Sequence, residues 1–167
     1  YRDNSTVSRM PEAFVYEKIT ADLKASIQFL QPVYSDTERV RPNSFASKAL
    51  LARVCLYKGQ WTDASKLATE VIESSSLYQF ENNLNRIFVK NSTETIWQFM
   101  PSAAGKNTDE GATFFFASGP PQLTALSESL INSFEPEDLR KANWTTRVMN
   151  ASGNWYYASK YKESKPT

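Results

Sequence analysis

Within the first 76 residues three stretches of the chain repeat apolar side chains at helical spacing, and between and beyond them the pattern changes. Over residues 11–30, Val15, Ile19, Leu23, Ile27 and Leu30 form nearly an i+4 ladder, with Asp22, Lys24 and Gln28 on the wet side. That spacing predicts an amphipathic helix, with Pro11 in its first turn, where a missing N–H costs nothing. Residues 31–42 are polar, bracketed by Pro32 and Pro42, and read as a linker. From Asn43, Ala46, Ala49, Leu50, Ala52, Arg53, Leu56 and Tyr57 give a helix buried along one face. Gly59 ends it, Thr62 is placed to cap a second helix, and Ala64, Leu67, Ala68, Val71 and Ile72 give that helix its buried stripe.

Small alanines at facing positions allow two helices to approach closely, as in a tetratricopeptide repeat of about 34 residues. Tyr57, Gly59, Trp61 and Ala64 stand where such a repeat places an aromatic, its turn glycine, a second aromatic and a small residue. The helix at 11–30 then reads as the second helix of a preceding, truncated repeat, and stacked hairpins share one continuous core. Trp61 is expected in that core, and Cys55 reads as a small buried hydrophobe.

After Leu77 the texture is different. Leu77–Phe80 alternates like a strand, residues 82–88 suggest a helical turn, and Glu94–Met100 is β-branched and aromatic enough for a strand that buries Trp97. Residues 101–121 read as a long loop carrying Phe114, Phe115 and Phe116, and long loops inside domains are often functional. Helical spacing resumes from Leu123 to Phe134, started by Thr124 or Ser127 and ended by Pro136, with Asp138-Leu139-Arg140 as a turn. Residues 144–149 and 155–161 then suggest a β-hairpin around the turn-rich Asn150–Asn154, bearing Trp144, Trp155, Tyr156, Tyr157 and Tyr161. The expected organisation is therefore a helical scaffold over 1–76 and a loop-rich part with short strands over 77–167.

Composition changes this picture in one respect. Aromatic residues reach 13%, with four Trp, eight Tyr and ten Phe, more than a small core demands, so some are expected on a binding surface. The net charge of +1 and the lack of a basic patch argue against a nucleic-acid partner. No apolar run approaches the roughly 20 residues that span a membrane. The chain opens on Tyr1-Arg2-Asp3-Asn4 and reads as an internal fragment, so missing targeting signals carry no weight.

Catalytic chemistry finds little support. There is no histidine, which removes the commonest general base and the commonest metal ligand. The five glycines are too scattered for a phosphate-binding loop. Glu94, Asp109, Glu110, Glu135 and Asp138 are acidic, but nothing pairs any two across a cleft as a glycosidase requires. Asp138 and Arg140 read as a structural ion pair or turn cap. Asn107, Asp109 and Glu110 lack calcium-loop spacing. No enzyme, cofactor or metal is expected.

The order of motifs resembles one family. Arg2-Asp3-Asn4, Val7-Ser8-Arg9 and Tyr16–Leu23 look like the middle of a SusD/RagB-type protein, and Ala46–Ala64 is similar to that family's most recognisable segment. Ser92-Thr93-Glu94-Thr95-Ile96-Trp97 resembles its Asn-x-Glu-x-Ile-Phe element, and Leu130–Phe134 with Asp138-Leu139-Arg140 resembles its Leu-x-x-x-Phe-x-x-x-Asp-x-Arg element. The resemblance implies a mostly α fold, a SusD-like α-α superhelix of tetratricopeptide-like hairpins with irregular loops. It implies a lipid-anchored protein on the outer-membrane surface that binds a polysaccharide, oligosaccharide or peptide and hands it to a SusC-type TonB-dependent transporter. The family's N-terminal part, with its lipid-bearing cysteine, and its Arg-x-Ala-Glu helix do not match here. Sugar rings stack on aromatic side chains, so the residues expected to meet ligand are Trp144, Trp155, Tyr156, Phe114, Phe115 and Phe116, each with a core reading beside the ligand one. A tetratricopeptide protein–protein adaptor is the other reading.

Overall fold

A computed structural model of the chain describes residues 7–100 and 109–162. The fold is mostly α, with six helices and one two-stranded antiparallel sheet among the described residues. By their contacts the residues fall into two units, Tyr1–Gln79 with Ile96–Gln98, and Phe80–Thr95 with Phe99–Thr167.

The first unit holds α1 (Glu12–Phe29), α2 (Ser44–Tyr57) and α3 (Trp61–Ile72), with α2 packed against both of the others. Its core is Leu51, Val54, Cys55 and Ala64, with Tyr16, Leu23, Ile27 and Leu67 against it. The α2–α3 turn follows from Gly59. Its φ of 70° is left-handed, a conformation glycine adopts without strain, and the Gln60 N–H closes back on the Cys55 carbonyl at 2.9 Å.

Several details differ from the sequence pattern. The helix α3 begins at Trp61, one residue before Thr62, with Gln60 as its N-cap and no side-chain cap, because the chain passes straight from the glycine turn into the helix. In α2 the buried positions are Ser44, Ser47, Leu51, Ala52, Val54 and Cys55, whereas Leu50, Leu56 and Tyr57 are exposed. The run from Ala49 to Leu56 is apolar at nearly every position, so its periodicity could not choose among faces. Trp61 is 66% exposed rather than core. Along α1, Leu23 and Ile27 reach the core while Val15 and Ile19 are largely exposed, so only part of the ladder faces α2.

A polar chain ties the start of α2 to the segments around it. Asn43 is only 2% exposed. Its Oδ1 accepts from the Ala46 N–H at 3.0 Å, which caps α2. Its Nδ2 donates to the Pro32 carbonyl at 2.9 Å and to the Tyr78 hydroxyl at 3.0 Å. The Tyr34 hydroxyl must donate to the Ile96 carbonyl, 2.5 Å away, because a carbonyl can only accept. The Tyr78 hydroxyl therefore donates to the Tyr34 oxygen at 2.6 Å. All five protons have one direction, and each of the three side chains is satisfied. Arg39 lies over both tyrosine rings, 5.2 and 5.6 Å from their centroids, and donates to the Leu77 carbonyl at 2.9 Å.

This arrangement explains why Ile96–Gln98 returns to the first unit. The Gln98 N–H donates to the Arg39 carbonyl at 3.2 Å, its Nε2 to the Glu38 carbonyl at 2.5 Å, and the Trp97 indole to the Val40 carbonyl at 3.0 Å. Neither Leu77–Phe80 nor Glu94–Met100 is a strand: most of these bonds come from side chains, so no ladder forms. Trp97 is half exposed and held by its indole N–H, not buried in a sheet.

Replacing Asn43 with Ala removes the cap and leaves the Tyr78 end of the chain short of a donor. We expect a loss of about 2–3 kcal/mol in urea unfolding, against a few tenths for a surface Asn→Ala control. A second outcome concerns pH. Burial first, then the bond with Tyr78, hold the Tyr34 hydroxyl well above the ordinary tyrosine value of 10.0. The unfolded chain ionises this group at a lower pH than the folded chain does. Its contribution is therefore complete below pH 10 and is lost as pH rises above that value. Unfolding measured from pH 8 to 11 should show stability falling at the alkaline end, and Tyr34→Phe should flatten the fall.

Candidate functional site

The second unit is built on a hairpin, β1 (Thr145–Asn150) and β2 (Gly153–Ala158), paired antiparallel with Thr146 opposite Tyr157, Val148 opposite Trp155 and Asn150 opposite Gly153. Only Ala151 and Ser152 lie between the strands, and Gly153 takes a φ of 149° that favours glycine. The hairpin starts at Thr145 and ends at Ala158, inside the expected 144–161, while its strands reach further into the turn, to Asn150 and from Gly153. Trp144 is the last residue of helix α6 (Leu139–Trp144), which Asp138 caps through the Arg140 N–H at 2.9 Å. The Asp138–Arg140 pair is thus both cap and ion pair, and the guanidinium holds the carboxyl below the usual range despite the opposing effect of desolvation. Leu139 and Arg140 therefore belong to a helix and not to the turn expected at 138–140, and Trp144 closes that helix instead of opening a strand.

The other expected elements are shorter than their sequence pattern. Ser127, not Thr124, caps α5 (Glu128–Ser133). Leu126 before it is extended and donates its N–H to the Tyr156 carbonyl at 2.8 Å. That bond consumes residues the helical spacing assigned to α5. Residues 101–108 of the long loop lie outside the described residues, and Asp109–Phe114 forms the helix α4.

Alternation along β2 puts Trp155 and Tyr157 on one face and Tyr156 on the other. The segment after α4 runs along the first face. Phe115 and Phe116 meet the Tyr157 ring edge to face, with centroids 5.4 and 5.2 Å apart. Further along, Gly119 lies against Trp155 so closely that a Cβ there would stand 2.0 Å from Cε3. The Asn150 amide donates to the Gly119 carbonyl at 2.5 Å. Phe114 is half-buried and lines a small hollow with Leu126 and Tyr157.

A cleft of about 450 Å³ opens beside this layer. One wall is Gly111 and Phe115, another is Thr146, Tyr157, Ala158 and Ser159, and the rest comes from Asn85, Ala142, Asn143, Tyr161 and Lys162. Three of its polar side chains are held by hydrogen bonds. The Asn85 Nδ2 donates to Asn143 Oδ1 at 2.8 Å, the Asn143 Nδ2 donates to the Leu139 carbonyl at 2.8 Å, and the Lys162 ammonium donates to the Asn143 carbonyl. Burial lowers the Lys162 pKa from its ordinary value. Aromatic packing continues around it. Phe88 meets both Trp144 and Tyr161 at centroid distances of 5.3 and 5.7 Å, and the Trp144 indole donates to the Leu84 carbonyl at 2.9 Å.

Of the six residues expected to meet ligand, the structure brings Phe114, Phe115 and Phe116 to Tyr157, and Phe115 alone of the six lines the cleft. Trp144 packs on Phe88, Trp155 packs on Gly119, and Tyr156 faces the opposite side of the hairpin. The spacing did not single out Asn85, Asn143 and Lys162. Tyr157 was readable, since it lies two residues from Trp155 on the same strand face. Among the described residues, no three His, Cys, Asp or Glu side chains gather as a metal would need.

No family model matches the sequence, and no curated protein does. Solved structures do. A SusD superfamily protein from Bacteroides vulgatus superposes with a TM-score of 0.60 at 20% identity, over 89% of this chain and 35% of that one. The chain has a SusD-like fold. A SusD-like protein from Bacteroides fragilis agrees, with a TM-score of 0.57 at 18% identity, over 98% of this chain and 42% of that one. The chain thus spans less than half the length of either SusD-like structure.

The Gly119–Trp155 contact gives a direct test of the layer beside the cleft. Gly119→Ala should displace the indole, lower stability by about 1–3 kcal/mol and shift tryptophan emission. Adding Trp155→Ala should remove most of the extra cost of the alanine, because the clash is then gone.

Proposed function

We propose that this protein is a surface glycan-binding component of an uptake system, one that holds a polysaccharide or oligosaccharide in the second unit and passes it to a SusC-type TonB-dependent transporter. It works at the outer-membrane surface, held there by a lipid anchor outside this sequence, and it catalyses no reaction. The observation that carries the reading is the cleft, where the Phe115, Tyr157 and Tyr161 rings stand beside the fixed amides of Asn85 and Asn143. A pyranose has a face of C–H groups that stacks on such rings, and a rim of hydroxyls that bond amides and hydroxyls. Pockets for small ligands combine these two surfaces in this way. Phe115 provides the exposed ring, Tyr157 supports it, and Phe116 and Trp155 pack along the same strand face, with Tyr156 on the other. The SusD-like fold supports the same reading.

The second reading, a protein–protein adaptor, is favoured by one observation. Leu50, Leu56, Tyr57, Trp61 and Ile72 of the α2–α3 hairpin are all exposed, a density of apolar side chains that suits a protein surface. A peptide in the cleft in place of a glycan is the third.

Calorimetry against a broad panel of soluble oligosaccharides decides between them. The glycan reading expects at least one ligand in the micromolar to millimolar range, with Phe115→Ala weakening it about tenfold under conditions where the variant remains folded. Failure across the panel, or binding unaffected by Phe115→Ala, removes glycan recognition from this cleft.

A further inference from the structure

The charge of the cleft narrows the class of glycan. Its described lining contains one ionic side chain, the Lys162 ammonium, and no carboxylate. Every other polar lining side chain is neutral: the amides of Asn85 and Asn143 and the hydroxyls of Thr146, Tyr157, Ser159 and Tyr161. Among the described residues the ammonium is paired to no acid. Its described partner is the Asn143 main-chain carbonyl, which takes one of three N–H bonds and carries no charge to neutralise it. Asn143 in turn lies in α6 with its side chain held by Asn85 and by the Leu139 carbonyl, so the carbonyl that the ammonium meets is fixed in place. A second cation stands near: Lys160 lies 4.9 Å from the Tyr161 and Phe88 ring centroids. A cationic peptide would be repelled by it.

From this we propose that the cleft takes an acidic glycan, with a uronate-type carboxylate of the ligand meeting Lys162 while the adjoining ring packs on Phe115. The proposal rests on the glycan reading above and adds the charge of the ligand to it. A charge-assisted bond at a partly desolvated site is stronger than its neutral counterpart. Lys162 is exposed overall, yet partial burial of its ammonium already lowers its pKa. An incoming carboxylate relieves that cost, and a neutral hydroxyl relieves it less.

The test compares matched probes on the whole chain, oligogalacturonates of two to four residues against neutral galacto-oligosaccharides of equal length, by calorimetry at low and moderate salt. A glucuronate-containing series against its neutral parent is run in parallel, to separate charge from stereochemistry. The expected result is a preference of about tenfold or more for the acidic member, shrinking with salt. Lys162→Gln should abolish the preference, with binding of the acidic member falling to that of the neutral one, and Lys162→Arg should restore it. Equal binding of the acidic and neutral members overturns the proposal and leaves the glycan reading standing. So does a Lys162→Gln variant that weakens both alike, since that marks a purely structural lysine. Binding of neither series, nor of any other glycan, overturns both.

Discussion

The first unit depends on the amide of Asn43. It is buried, and a buried amide with an unmet group is costly, so every one of its bonds has to be made. One of them starts α2, one holds the linker at Pro32, and one passes through Tyr78 and Tyr34 to the carbonyl of Ile96. The hydrophobic core of Leu51, Val54, Cys55 and Ala64 is modest and would hold three helices only loosely on its own. The hydrogen-bond chain supplies what burial does not: a single geometry for the segments that enter and leave the helices. Directionality strengthens it, because no member can rotate its proton without leaving the next one unmet.

The second unit uses a different device. Its hairpin is short, and two strands alone are marginal in water. Stability comes from layering aromatic rings on one strand face, with Phe115 and Phe116 on Tyr157 and the Gly119 backbone on Trp155. The small glycine is what permits a main chain to lie directly on an indole. The same layering leaves one side of Phe115 uncovered beside the fixed amides, so the candidate binding surface is a by-product of how the sheet is supported.

What the sequence made legible was local. The α2–α3 hairpin was readable because Gly59 and the three- and four-residue spacing are properties of neighbouring residues. The Asp138–Arg140 cap was readable for the same reason. The buried face of α2 was not, since almost every residue from Ala49 to Leu56 is apolar and the choice among them is made by α1 and α3. Glu94–Met100 has strand composition but no strand partner, so its polar groups go to Glu38, Arg39 and Val40 instead. The cleft was the least legible feature. Its lining comes from around positions 85, 111–115, 142–146 and 157–162, four segments that no local pattern connects. The abundance of aromatics pointed to a surface of this kind, but which rings face outward was decided by strand alternation and by a glycine.

The excursion of the chain between Gln79 and Ile96 has a consequence for how such a protein can be taken apart. The backbone leaves the first unit, contributes sixteen residues to the second (80–95), comes back for three, and leaves again. A single cut cannot separate the units cleanly. Severing after Gln79 deprives Tyr34 of its acceptor, and severing after Gln98 strands 80–95 away from α6, whose Trp144 donates to the Leu84 carbonyl. The two units are covalently stitched and not beaded on a string, so recombination that exchanged one of them would have to splice at three points in register. Diversification by substitution and by loop-length change along the cleft wall is the route this topology leaves open.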